Sequence, residues 1–262
     1  MSNDRTAMTV QPLLSAQGLC KTFGGVKAVQ TAGIEVAAGS ITGLIGPNGA
    51  GKTTFFNLLS NFIRADSGKI ELNGRKIDQL QPHQIARLGM VRTFQVAKAL
   101  SRMSVLENML LGAKDQTGEK FWQVWIQPKQ MQIQQRELKD KAMSILENVG
   151  LSHKANDYAG GLSGGQRKLL EIGRALMADP QLILLDEPAA GVNPRLIEDI
   201  CGHILNWRKE GMTFLIIEHN MDVIMTLCDR VWVLAEGTNL VDGTPDTVQN
   251  DQRVIEAYLG ID

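Results

Sequence analysis

Gly46-Pro47-Asn48-Gly49-Ala50-Gly51-Lys52-Thr53 constrains the folding of this chain more than any other stretch. It fits G-x-x-x-x-G-K-[ST], a loop whose backbone N–H groups cradle phosphates while the lysine reaches the outer phosphate oxygens and the hydroxyl reaches Mg²⁺. The pattern has meaning only between a strand and a helix. Ile41 to Ile45 is a continuous apolar run, and from Lys52 to Ile63 apolar residues recur at helical spacing in Phe55, Leu58, Leu59 and Phe62. Gly46, Gly49 and Gly51 let the backbone approach phosphates closely, and the N-terminus of the following helix adds positive dipole character. This order of elements predicts an α/β core.

Two further stretches extend the reading. Leu182 to Leu185 is an apolar strand that runs into Asp186-Glu187. Ligands collect at the carboxyl ends of strands in open α/β sheets, and adjacent carboxylates on a strand point to opposite faces, so the two can do different work. Gly164 and Gly165 open a helix with apolar positions at Leu169, Ile172 and Leu176. Ser163 and two bare glycine N–H groups at that N-terminus make an anion site. The phosphate loop already surrounds its own nucleotide, so a second anion site points to a partner. A plain serine N-cap would explain the local pattern but not its sequence and spacing.

Composition narrows the class. The chain has 262 residues, 44% hydrophobic and 21% charged, enough for one large core or a main domain with a smaller one attached. A formal net charge of -1 carries no basic footprint for nucleic acid. Cys20, Cys201 and Cys228 are widely spaced and read as reduced thiols. The polar run Met1 to Gln11 lacks the apolar core of a signal peptide, and no apolar run approaches the roughly 18 residues of a membrane helix. The expectation is a soluble protein whose membrane role comes through a partner.

Along the chain, residues 13–46 read as short strands with Gly-rich turns, at Phe23-Gly24-Gly25 and Ala38-Gly39-Ser40. From Ser104 to about Leu170 the pattern is helical, with a long Gln/Lys/Glu-rich helix over Gln127 to Val149. Strands return at Leu182–Leu185, Thr213–Ile217 and Val231–Leu234, separated by helices near Pro194–Lys209 and Asn220–Cys228. The expected organisation is one domain over 1–262. Its core covers about 13–96 and 166–262, and a helical subdomain is inserted at about 97–165.

Leu162-Ser163-Gly164-Gly165-Gln166, placed between the phosphate loop and Asp186-Glu187-Pro188, resembles the ATP-binding subunit of an ABC transporter over nearly the whole chain. The resemblance implies a P-loop NTPase core with an N-terminal antiparallel β region and an inserted helical subdomain. It implies ATP held by residues 46–53 and Thr54, and by Ser163, Gly164, Gly165 and Gln166 of a second subunit, identical or paralogous, in a head-to-tail sandwich. Thr53, Asp186 and Gln95 would hold Mg²⁺. Glu187 would be the general base, Lys52 would neutralise phosphate charge, His219 would contact the γ-phosphate, and Gln95 would sense the membrane partner. Phe23 looks like the aromatic that stacks on adenine, a core phenylalanine being its competitor. The family pattern has Asp where this chain has Asn193, which weakens the carry-over of cross-subunit signalling there.

Ile85-Ala86-Arg87 with Val91-Arg92-Thr93-Phe94-Gln95, the run Glu187 to Gly191, and Ala257-Tyr258-Leu259-Gly260 resemble the bacterial branched-chain amino acid uptake group, whose relatives import urea or amides. That implies membrane permease subunits and, indirectly, a periplasmic or extracellular binding protein. It also implies a place on the cytoplasmic face of the inner (plasma) membrane, peripheral through the permease. A lipopolysaccharide-export ATPase and a soluble ABC-type assembly ATPase are the alternatives. Gln95 to Met103 reads either as a docking surface for a membrane subunit or as the start of the helical subdomain's core. Phe121 to Ile126, with Trp122 and Trp125, either touches a membrane partner or packs on that subdomain.

Overall fold

The computed structural model describes residues 11–93, 101–114 and 128–259. Gln95, most of the segment from it to Met103 and the Phe121 to Ile126 run lie outside these residues.

The polypeptide starts as a hairpin of β1 (Leu14–Phe23) and β2 (Val26–Val36), longer strands than their glycine-rich sequence predicts. Gly24 and Gly25 form its two-residue turn with φ of 50° and 92°, the left-handed pair that matches the twist of a hairpin. β4 (Ser67–Leu72) and β5 (Arg75–Lys76) complete an antiparallel sheet of order β2-β1-β4-β5.

The second sheet has six strands in the order β10-β9-β3-β8-β7-β6. They are β3 (Ile41–Ile45), β6 (Met90–Arg92), β7 (Leu182–Asp186), β8 (Thr213–Ile217), β9 (Arg230–Ala235) and β10 (Thr238–Gly243). β6, β7, β8, β3 and β9 run parallel, and β10 pairs antiparallel at the edge. β3, β7 and β8 are buried throughout, which is why they are unbroken apolar runs.

The period of two divides those runs between two cores. On one face Leu44, Leu184, Leu215 and Ile217 pack with the antiparallel sheet and with Phe55, Phe56, Leu58 and Leu59 of α1 (Lys52–Leu59). On the other face Ile41, Ile45, Ile183, Leu185, Phe214 and Ile216 pack with α6 (Pro194–Lys209) and α7 (Met221–Leu227). That second core continues into the helices between β6 and β7: α3 (Val105–Leu110), α4 (Pro128–Asn148) and α5 (Gly164–Leu176). Short helices α2 (Pro82–Arg87), α8 (Pro245–Gln249) and α9 (Gln252–Leu259) finish the fold. Among the described residues no helix is long and apolar enough to cross a membrane.

One helix is shorter than its periodicity predicts. α1 ends at Leu59 because Asn61 turns left-handed at φ 52° and its amide donates to the carbonyls of Ile77 and Leu80, at 2.6 and 3.0 Å. Phe62, expected on the helix's apolar stripe, is thereby carried to the surface.

Candidate functional site

Three neighbouring strands deliver the site from their carboxyl ends. β3 runs into the phosphate loop, β7 ends at Asp186, and His219 stands two residues beyond β8. Gly46 is pressed so closely on β9 that a Cβ there would lie 2.0 Å from the Leu234 carbonyl oxygen. Gly51, at φ 93°, would place one 2.3 Å from the Ala28 carbonyl oxygen. No side chain fits at either position.

Lys52 is buried and its ammonium donates to the carbonyls of Gly46 and Pro47, at 2.7 and 2.8 Å. Burial lowers its pKa from the usual lysine value, and the negative charge of Glu187 opposes that shift. A desolvated cation already facing a carboxylate is primed for a more highly charged anion.

Glu187 follows β7 in the left-handed region, φ 49°. The separation of the two carboxylates therefore arises from a backbone turn, and not from strand alternation as the sequence suggests. The conformation costs about 1–2 kcal/mol for a residue with a Cβ. Its N–H donates to the Ile217 carbonyl at 3.0 Å, and its carbonyl accepts from Lys168 Nζ at 3.1 Å. The turn brings Glu187 Oε1 within 2.9 Å of His219 Nε2.

Both residues face a cavity of about 540 Å³. Its wall includes Asn48, Gly49, Ala50, Gly51, Lys52, Thr53 and Thr54, and also Val26, Lys27 and Gln30 from the start of β2. Gly46 and Pro47 begin the loop but do not line the cavity. Asp186 and the 163–166 segment do not line the cavity. Phe23 pairs with Val26 across the hairpin and is 44% exposed, but its ring does not line the cavity either.

Two carboxylates make supporting contacts that the motifs do not announce. Asp186 Oδ2 accepts from Arg92 Nη2 at 2.9 Å, both side chains being nearly buried. Arg92 Nη1 also donates to Asn57 Oδ1 at 2.6 Å, and the guanidinium lies 4.9 Å over the Phe56 ring and 5.6 Å over Phe62. Glu218 is buried and accepts the N–H groups of Ala189 and His219 at 2.7 and 3.0 Å. It ties the loop after Glu187 to the histidine. An acidic residue straight after the apolar β8 was the available signal.

Ser163 caps α5: its hydroxyl accepts the Gln166 N–H at 3.3 Å, while the Gln166 side chain accepts the Ser163 N–H at 3.0 Å. Gly165 has a packing reason as well, since a Cβ there would meet Leu196 of α6 at 1.8 Å. Asn193 caps α6 by accepting the Leu196 N–H at 3.0 Å, a task asparagine and aspartate perform equally.

A lysine-bearing phosphate loop at the end of a central strand, opposite a strand-end carboxylate bonded to histidine, defines an ATPase of the P-loop class, and nucleotide is its ligand. The chain belongs to the ABC transporter family, whose model matches residues 29–190. A second model, described as a branched-chain amino acid ATP-binding cassette transporter, matches residues 239–262. The chain is 42% identical over 252 residues to a probable branched-chain amino acid transport ATP-binding protein LivG of Archaeoglobus fulgidus, covering 95% of each. It is 40% identical over 251 residues to the high-affinity LivG protein of Escherichia coli, covering 95% of this chain and 98% of that protein. A crystal structure of a nucleotide-free ATP-binding cassette from an ABC transporter superposes with a TM-score of 0.83 at 39% identity, covering 94% and 98% of the two chains.

Proposed function

We propose that this ATPase powers an importer of branched-chain amino acids or a related small solute such as urea or amides, working from the cytoplasmic face of the inner membrane. The Glu187–His219 contact of 2.9 Å beside the phosphate loop carries the catalytic part of this reading. The LivG relatives and the match over residues 239–262 support the transported class.

Glu187 takes a proton from the attacking water as general base, and His219 holds that carboxylate in place. The loop N–H groups and Lys52 bind the phosphates and gather the charge that develops on them. Thr53 and Asp186, with Gln95, would hold Mg²⁺. Their oxygen donors suit a hard cation, which supplies charge neutralisation at the phosphates. Arg92 is bonded to Oδ2 of Asp186, and Oδ1 would be the oxygen toward the ion.

Ser163, Gly164, Gly165 and Gln166 form an anion-binding helix end away from the cavity of their own chain. They serve a second ATPase subunit, identical or paralogous, which closes on the nucleotide. The helices inserted at about 97–165 form an arm that docks the permease subunits. A groove of about 460 Å³ between α2, β6 and the ends of α3 and α5, with Ala86, Val91, Leu111 and Ala178 on its wall, suits a permease segment. A binding protein outside the membrane would hand solute to that permease.

The test is purification from native membranes. Permease subunits should copurify, and loss of this subunit should abolish ATP-dependent uptake of leucine, isoleucine or valine, or of urea, into membrane vesicles. Normal uptake of all of these without the subunit would reject the transport reading.

Phe23 stands at the hairpin tip with Lys21 Nζ 5.5 Å from its ring centre. As the adenine-stacking side chain it should contribute about 1–3 kcal/mol of affinity. Phe23→Ala is expected to weaken ATP and GTP alike while leaving the melting temperature unchanged. Unchanged affinity in a nucleotide titration would assign the base to another side chain, Val26 being the exposed neighbour on the cavity wall.

A further inference from the structure

We infer that Tyr258 is a positioning residue for the phosphate loop: from α9 its hydroxyl accepts the Gly46 N–H at 2.8 Å and holds the loop's first peptide in its nucleotide-binding geometry. The inference rests on the nucleotide reading of the site.

Gly46 is the point where β3 stops and the loop begins, and a glycine there has backbone freedom that something must remove. Two side chains do so. Tyr258 takes its N–H, and Lys52 Nζ takes its carbonyl at 2.7 Å. The Leu234 carbonyl closes the space that any Cβ would need. When a phosphate draws the Lys52 ammonium away, the Gly46 carbonyl loses its side-chain partner. The bond to Tyr258, on the Ile45–Gly46 peptide, is then the side-chain hydrogen bond that still holds Gly46.

Anchoring of α9 is a poor alternative account of the contact. Within α9 only Val254 is buried, and Ile255, Tyr258 and Leu259 are 40%, 41% and 64% exposed. Tyr258 is partly exposed as a residue, yet desolvation raises the pKa of its hydroxyl, and the Gly46 N–H partly offsets that shift. A hydroxyl withdrawn from water to bond a loop 212 positions away gives α9 little. It gives the loop a fixed origin. The segment matched by the branched-chain model, residues 239–262, thus contacts the first residue of the phosphate loop.

Tyr258→Phe keeps the ring and removes the bond. In the full chain, ATP and ADP affinity by titration calorimetry should fall about 2–10-fold, the range for one hydrogen bond. KM for ATP should rise by the same factor, with kcat within about twofold. The nucleotide-free melting temperature should fall by no more than about 2–4 °C, the cost of one hydrogen bond in a chain of this length. Amide exchange at Gly46, slow in the unaltered chain, should accelerate. Unchanged affinity, with or without a lower melting temperature, makes Tyr258 an anchor of α9 and overturns the proposal, as does rapid Gly46 exchange in the unaltered chain. Absence of any ATP or ADP binding by the unaltered chain overturns the nucleotide reading itself and the proposal with it.

Discussion

Glu187→Gln is expected to leave ATP binding intact and to slow hydrolysis by about 10²–10⁴, the usual contribution of a positioned general base. The substitution preserves shape, so the left-handed turn at φ 49° and the Lys168 bond to the backbone carbonyl should survive. The amide oxygen can still meet His219 Nε2 at the 2.9 Å position. What disappears is the ability to take a proton from water. Bound ATP then persists, and a nucleotide-closed dimer should accumulate on size-exclusion chromatography with ATP. The decisive measurement is single-turnover hydrolysis at saturating ATP. Turnover close to that of the unaltered chain would remove Glu187 from the base role.

Arg92→Ala should destabilise the fold by about 3–5 kcal/mol, because it strands Asp186, only 7% exposed, without its ion partner. The loss includes the stacking of the guanidinium on Phe56 and Phe62. For a chain of this length the melting temperature should fall by roughly 10 °C. Adding Asp186→Asn to Arg92→Ala separates the causes, since it removes the stranded charge and should recover part of the loss. A melting temperature within about 2 °C of the unaltered chain would show that water reaches Asp186 and that the pair contributes little.

The elements legible in the sequence are those whose reasons are local. β7 and β8 appear as apolar runs because both of their faces are covered, and α6 is bounded correctly by Asn193-Pro194 at its start. The phosphate loop and Ser163–Gln166 are legible for a similar reason. Turn glycines, a cap and a periodic apolar stripe all act within a few residues.

β4 is not legible, since a strand reading Ser-Gly-Lys-Ile-Glu-Leu buries only Ile70 and Leu72, and its pairing partner on β1 lies far away in the chain. α9 is illegible for a similar reason, having a single buried residue. The motifs named Asp186, Glu187 and His219, but not the 2.9 Å contact between the last two. That contact depends on a left-handed residue, which glutamate rarely adopts and which β8, through the Ile217 carbonyl, holds in place.

The sequence by itself determined the class of chemistry, the order of the core elements and the candidate site residues. Tertiary structure alone decided what supports them: Arg92 on Asp186, Glu218 across the catalytic loops, and Tyr258 behind Gly46. Each of these is a charge or hydroxyl withdrawn from water. Its value depends on the one partner that the fold brings within hydrogen-bonding distance, and no spacing in the sequence encodes that distance.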